Sequence, residues 1–125
     1  MVYMPDMSKR LHTVVETPDF LADAKRAGMT DAEREAAVQL YASQPDAGEE
    51  IVGSGGVRKS RLAGRGKGKS GGYRVVSIFL DATIPVLLIA VLSKGDRSNF
   101  TAEEVGQFKK VTTAIKAAFR SRKRG

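Results

Sequence analysis

The sequence predicts an α+β domain: a small antiparallel β-sheet flanked by N-terminal helices and a C-terminal helix. Three observations carry this prediction. Helix-start signals occur near both ends of the chain, strand-like apolar runs lie between them, and short turns separate those runs, which makes them antiparallel neighbours. The 125 residues suffice for one domain with one modest core. We expect that core at about 12–119, between an N-terminal arm (1–11) and a basic C-terminal tail (120–125).

The N-terminal part is predicted to hold one strand and two helices. The β-branched residues of HTVVET at 12–17 favour a short strand. A first helix starts at 17–19, where a proline follows a capping threonine, and runs to Arg26. A second helix starts at the capping box formed by Thr30 and Glu33 and runs to about Ser43. The residues expected to face the core from these helices are Phe20, Leu21, Ala24, Ala36, Ala37, Leu40 and Tyr41.

Three further strands and a last helix are predicted to follow. The strands are expected at 57–62, 72–81 and 84–92, and the last is continuously apolar, which indicates a central strand buried on both faces. The glycine- and lysine-rich stretch 63–71 is expected to be a flexible loop. A second capping box, at 101–104, starts the last helix. The apolar stripe predicted for that helix consists of Val105, Phe108, Val111, Ile115 and Phe119.

Positive charge is concentrated in one stretch of the chain. The net charge is +7, yet residues 1–57 carry five Lys or Arg against ten Asp or Glu, whereas 58–74 carry seven cations and no carboxylate. Glycines at 53, 55, 56, 64, 66, 68, 71 and 72 surround these cations. Like charges repel and glycines add backbone entropy, so this composition does not serve a core. Phosphates would offset the repulsion and glycine N–H groups can approach them closely, which favours a nucleic-acid partner. A solvated, disordered basic loop is the alternative.

The composition excludes several kinds of site. The chain has no cysteine, so disulfides, thiolate chemistry and cysteine-based zinc sites are absent. His12 is the only histidine, and we expect neither a metal nor a cofactor. AGRGKGKS is not a phosphate-binding P-loop, because its first glycine position is Ala63 and a strand is predicted to follow it. We see no signal peptide, and the longest apolar run, 84–92, is too short to span a bilayer, so a cytoplasmic protein without a membrane partner is expected.

A catalyst without metal, cysteine or a histidine pair must use Lys, Arg and Tyr. For phosphodiesters this favours RNA, since RNA supplies its own 2′-OH nucleophile and the protein need only hold the phosphate and stabilise its charge. One arginine can bind two phosphate oxygens at once. A lysine crowded by other cations has a lowered pKa and can therefore transfer a proton. The candidates on neighbouring strands are Lys59, Arg61, Arg74 and Lys94, with Lys67 and Lys69 reaching in from the loop. A sheet face that only binds RNA or DNA is the alternative.

Several motifs resemble the HigB/RelE-type toxins of bacterial type II toxin–antitoxin systems, in the RelE/ParE superfamily. They are TVVETPDF, TDAERE, GSGGVRKSRLAG, GKGKSGGYRVV and NFTAEE, and the resemblance covers roughly 12–117. It implies a small antiparallel sheet flanked by helices. It also implies a ribosome-dependent, metal-independent endoribonuclease that cleaves translated mRNA in the A site and so inhibits translation. The implied partners are the ribosomal RNA, the mRNA and a cognate antitoxin, usually a helix-turn-helix DNA-binding protein.

The resemblance also assigns residues. Lys59 and Arg61 match basic strand positions of RelE-type toxins, and Arg74 matches the GYR arginine that contacts the scissile phosphate. Lys94 and Arg97 lie where the family has further basic residues. RNA contact is expected for Arg58, Arg65, Lys67, Lys69, Tyr73, Arg97 and Phe100.

Two tyrosines typical of relatives are missing from this chain. RelE-like toxins have a base-stacking tyrosine near the C-terminal end; this chain has Asn99-Phe100-Thr101 there, so stacking falls to Phe100. The tyrosine that many relatives have after GYRV is replaced by Ser77-Ile78-Phe79. The identity of the general base is therefore left open, and a lysine crowded by other cations is the preferred candidate.

Two other functions remain open at this stage. ParE-type members of the superfamily inhibit DNA gyrase by binding and cleave no RNA. The grouped Lys59, Arg61 and Arg74 favour the nuclease, because a gyrase binder has no need of a face that holds phosphate. An inactive relative that only binds nucleic acid is the third reading.

Overall fold

The computed structural model describes residues 11–64, 68–92 and 99–124, with the backbone alone at 63, 64, 68–71, 123 and 124. The elements are β1 (Val14–Glu16), α1 (Pro18–Arg26), α2 (Asp31–Ser43), β2 (Glu49–Glu50), β3 (Val57–Gly64), β4 (Gly68–Ile78), β5 (Val86–Leu92) and α3 (Ala102–Arg124). The predicted α+β fold is confirmed, and β2 is a fifth strand in addition to the four that the sequence predicts. The predicted N-terminal arm falls almost entirely outside the described residues.

The five strands form one sheet in the order β1-β5-β4-β3-β2. Strands β2 to β5 pair antiparallel, as their short connections predict, but β1 pairs parallel with β5, so the sheet is mixed. The difference arises because two helices and three strands separate β1 from β5, and no tight turn dictates their direction. β5, which was predicted to be central, lies second from the edge, and β4 is the middle strand.

The sheet separates two apolar clusters. On one face, α1 and α2 cover a cluster that includes Phe20, Tyr41 and Leu88, all fully buried. On the other face, α3 contributes Phe108 and Ile115 to a second cluster. β5 supplies residues to both clusters, which confirms its predicted burial on both faces and explains why it reads as a continuous apolar run.

Capping threonines begin the helices where the sequence predicts. The Thr17 hydroxyl accepts from the Phe20 amide at 3.2 Å and donates to the Leu88 carbonyl at 2.8 Å, so the start of α1 is bonded to β5. Thr30 and Thr101 form the two predicted capping boxes, at the starts of α2 and α3. Three residues predicted to face the core are instead exposed: Leu21, Ala36 and Val111.

Thr112 takes the buried position on α3 that was predicted for Val111. Its side chain is 1% exposed, and its hydroxyl donates to the Ser54 carbonyl at 3.1 Å, whereas Val111 is 49% exposed. Both residues fit a spacing of three or four along the helix, so the apolar pattern alone favours the valine. In the structure Thr112 faces the β2–β3 turn, where its hydroxyl makes a hydrogen bond that a valine side chain could not make.

The glycines of the β2–β3 turn serve packing and chain reversal. Gly55 has a φ of 81°, and a Cβ there would lie 2.4 Å from the Thr112 hydroxyl oxygen. Gly56 has a φ of 127°, and a Cβ there would lie 2.8 Å from the Phe79 carbonyl oxygen. Packing and the positive φ therefore account for glycine at these two positions, while the approach of glycine N–H groups to phosphates stays a prediction.

Most of the stretch 63–71, predicted to be a flexible loop, belongs to strands, and residues 65–67 lie outside the described ranges. β3 continues to Gly64 and β4 already starts at Gly68, and these two glycines pair across the ladder after a register shift. Antiparallel pairing uses backbone groups alone, so glycines and lysines can continue it.

Candidate functional site

Two arginines face each other across neighbouring strands. Arg61 of β3 and Arg74 of β4 are directly opposed partners in the antiparallel ladder. Opposed residues project from the same face with Cβ atoms about 4.5–5.5 Å apart, and like charges at such positions destabilise a sheet. The pair therefore has an electrostatic cost in the isolated protein, which an anion bound between the two guanidinium groups would offset.

Lys59 lies on the same face as these arginines. It precedes Arg61 by two residues on β3, and side chains two apart on a strand point the same way. Glu49 of β2 is the partner of Lys59 across the ladder. Together with Ser60, these four charged residues line a surface depression of about 240 Å³. The structure thus brings together Lys59, Arg61 and Arg74 as the strand alternation predicts, while their catalytic roles stay predictions.

Glu49 is the residue of this depression that sequence reasoning missed. It belongs to the acidic pair Glu49 and Glu50, and nothing in the local sequence relates this pair to the cations of β3 and β4. Only the pairing register of β2 with β3 places its carboxylate among the cations. The depression therefore holds a carboxylate in addition to the amine and two guanidinium groups.

A second groove adjoins the depression. It has a volume of about 370 Å³ and shares Glu49 and Lys59 with it, while Phe100 and Val105 line its far part. The Phe100 ring packs edge-to-face on Phe108, with ring centroids 5.1 Å apart. The half-buried Phe100 therefore stands next to the cationic depression, where the predicted stacking on an RNA base requires it. That stacking stays a prediction.

Two residues predicted to contact RNA lie away from this face. Arg58 is on the opposite face of β3 from Lys59, and its guanidinium donates to the Gly48 carbonyl at 2.8 Å. Tyr73 is only 2% exposed, and its hydroxyl donates to the Gly28 carbonyl at 3.4 Å. Because β4 alternates, Tyr73 points into the cluster under α1 and α2, and RNA contact does not fit this position.

The other predicted site residues cannot be placed. Arg65, Lys67, Lys94 and Arg97 lie outside the described residues, and of Lys69 the backbone alone is described.

Three buried hydroxyls lie on the far side of the same strands. Those of Tyr41, Ser60 and Ser77 have no hydrogen-bond partner of standard geometry among the described residues. Burial raises the pKa of Tyr41, and the neighbouring hydroxyls of Ser60 and Ser77 oppose part of that rise. Tyr41 is therefore neutral and packs as a core residue on the face of the sheet opposite the depression.

Other titratable groups have structural roles. The His12 Nε2 lies 2.7 Å from the Ile84 carbonyl oxygen, and its ring packs edge-to-face on Phe79. Hydrogen bonding to Glu16, followed by the charge of that carboxylate, raises the pKa of Arg34. Within the described ranges, no group of three or more His, Asp or Glu side chains could hold a metal ion. No helix of those ranges is long and apolar enough to cross a membrane.

The chain matches a known family over most of its length. The family model described as the RelE toxin of the RelE/RelB toxin–antitoxin system matches residues 13–122. The matched stretch runs from β1 almost to the end of α3 and includes the whole cationic depression. The chain belongs to the RelE toxin family and is the toxin of a toxin–antitoxin system, with a cognate antitoxin as its partner.

Proposed function

We propose that this toxin is a metal-independent endoribonuclease that cleaves mRNA in the A site of the translating ribosome. The observation that carries the proposal is the opposed pair of Arg61 and Arg74, with Lys59 beside it in one depression. A scissile phosphate seated there would accept charge-assisted hydrogen bonds from both guanidinium groups. These groups would be in place before the reaction, so they would stabilise the charge that builds on the non-bridging oxygens.

The chemistry follows from the groups present. The RNA 2′-OH loses its proton to an acceptor, either the Lys59 amine or the Glu49 carboxylate, and its oxygen attacks the adjacent phosphorus. The bond from phosphorus to the 5′-oxygen breaks, and that oxygen takes a proton from a neighbouring ammonium or from water. The products are a 2′,3′-cyclic phosphate and a free 5′-hydroxyl. No metal is needed, because the cations of the protein supply the positive charge.

Ribosome dependence is supported by the openness of the site. A surface depression can hold a phosphate, but cleavage also requires the 2′-oxygen, the phosphorus and the leaving oxygen to lie in line. An mRNA held in the A site would arrive in a fixed conformation. In the proposed mechanism the toxin supplies charge and proton transfer, while the ribosome supplies alignment.

Mapping of RNA 5′ ends after induction of the toxin in a bacterium tests the proposal. We expect new ends within translated reading frames, and we expect them to disappear from a reporter whose start codon has been destroyed. The Arg74→Ala variant is the matched control and should give none. Growth arrest with intact mRNA and relaxed or damaged DNA would instead indicate a gyrase inhibitor.

A further inference from the structure

Arg58 is the one described cation of β3 that does not face the depression. Its side chain projects from the opposite face to that of Lys59, because neighbouring residues of a strand alternate. Its Nη2 donates to the Gly48 carbonyl at 2.8 Å. Its Nε is buried and has no hydrogen-bond partner within the described ranges. The guanidinium group is thus held against the protein backbone.

Gly48 is also held tightly against β3. Its φ is 95°, a conformation that favours glycine, and a Cβ there would lie 2.3 Å from the Ser60 hydroxyl oxygen and 2.5 Å from the Lys59 carbonyl oxygen. Any larger side chain would push the two segments apart. The hydrogen bond from Arg58 and this close approach therefore fix the backbone directly before β2.

The position of Glu49 depends on this anchor. β2 has two residues and lies at the edge of the sheet, so few ladder hydrogen bonds hold it. Glu49 is the first of the two, directly follows Gly48, and pairs with Lys59. A shift of the anchor would move its carboxylate out of the depression.

We propose that Arg58 is a positioning residue, which holds Gly48 and so keeps the Glu49 carboxylate beside Lys59. In that place the carboxylate accepts the 2′-OH proton or orients the lysine that does so. This role rests on the proposed nuclease function. It replaces the direct RNA contact that the sequence suggests for Arg58, since the guanidinium acts through the backbone on the far side of the strand.

Single-turnover cleavage on ribosomes programmed with an mRNA tests this role. Arg58→Met should lower the rate at saturating toxin by about tenfold, because one charge-assisted hydrogen bond and the alignment it supports are lost. The half-saturating toxin concentration should not change, and Arg58→Lys should restore part of the rate. Arg26→Met, which removes an exposed arginine of α1, is the matched control and should cleave like wild type.

Arg58→Met in a Glu49→Gln background distinguishes a role in positioning Glu49 from direct contact with RNA. If Arg58 acts through Glu49, Arg58→Met should have little further effect there, because the two changes remove one function. If Arg58 instead contacts RNA, Arg58→Met should raise the half-saturating toxin concentration, and it should lower cleavage as strongly in the Glu49→Gln background as in wild type. Either of those results overturns the proposal.

Amide hydrogen exchange provides a readout that does not require cleavage. The Ile51 amide donates to the Val57 carbonyl at 2.8 Å at the end of β2, and the Val86 amide donates to the Thr13 carbonyl at 2.9 Å at the other edge of the sheet. Arg58→Met should speed exchange at Ile51 and leave Val86 unchanged. Unchanged exchange at Ile51 overturns the anchoring role. If wild-type toxin fails to cleave, the proposed function fails, and exchange still decides whether Arg58 anchors β2.

Discussion

Arg61 of β3 lies directly opposite Arg74 of β4, on the sheet face that also carries α3. A sheet gains nothing from two like charges at opposed positions. The pair therefore does not favour folding, whereas the proposed phosphate binding needs both arginines. Substitution of either one should lower activity without lowering stability.

Arg61→Ala and Arg74→Ala should each lower cleavage by about 10²–10³, because each removes a preorganised contact to the phosphate. Each should leave the melting temperature unchanged or slightly raised, since the repulsion between the two cations disappears. Single-turnover cleavage and thermal unfolding measure the two effects, with Arg26→Ala as the control. A wild-type cleavage rate in either variant would remove that arginine from the site.

Tyr73→Ala should destabilise the protein by about 3–5 kcal/mol, because it empties a large buried position beneath α1 and α2. Tyr73→Phe should change the free energy of unfolding by less than about 1 kcal/mol, since the hydrogen bond from its hydroxyl to the Gly28 carbonyl is long, at 3.4 Å. Denaturant unfolding checks both values. A stable Tyr73→Ala variant that cannot cleave would show that Tyr73 has a role at the site after all.

Gly55→Ala should destabilise the protein by about 1–3 kcal/mol, because alanine must adopt a positive φ and its Cβ meets the Thr112 hydroxyl. Gly106→Ala is the matched control. Gly106 lies in α3, and a methyl group added there would meet no neighbouring side chain or strand of the described residues within 4 Å, so this change should stabilise the helix by about 0.5–1 kcal/mol. Equal effects of the two substitutions on thermal unfolding would contradict the close contact between the turn and α3.

Tyr41→Phe should flatten the alkaline part of the stability profile. Burial raises the pKa of Tyr41 in the folded protein, so the unfolded chain ionises first and stability is lost as the pH rises above the ordinary tyrosine value of about 10. Phenylalanine cannot ionise, so this share of the loss should disappear. At pH 7 the change should cost less than about 1 kcal/mol, because the hydroxyl has no partner of standard geometry among the described residues. Unfolding measured from pH 7 to 11 tests it, and an unchanged alkaline slope would contradict the buried, neutral state.

The sequence predicts best what is decided within a few residues. The capping boxes at Thr30 and Thr101 and the alternation of Lys59 and Arg61 along β3 depend on local geometry, and the structure has all of them. The basic face could therefore be predicted from a single strand and its neighbour.

Contacts between distant segments are what the sequence leaves open. The parallel pairing of β1 with β5 and the register that brings Glu49 to Lys59 depend on how separate segments meet. The burial of Thr112 rather than Val111 on α3 also involves a distant segment, because the Thr112 hydroxyl donates to the Ser54 carbonyl of the β2–β3 turn. The burial of Tyr73 follows from strand alternation, which sends its side chain and that of its neighbour Arg74 to opposite faces of the sheet.

The parallel pairing of β1 with β5 also has a consequence for synthesis. His12 and Ile84, which are bonded at the start of this pairing, are 72 residues apart, so β1 emerges from the ribosome well before the strand that it joins. The start of α1 also cannot make its contact with the sheet until β5 has been synthesised, because the Thr17 hydroxyl donates to the Leu88 carbonyl. The second cluster is covered only when α3 has been made, later still. Neither apolar cluster of the sheet can therefore be fully buried while β5 and α3 are still to be synthesised. A chain truncated before β5 should have no folded active surface.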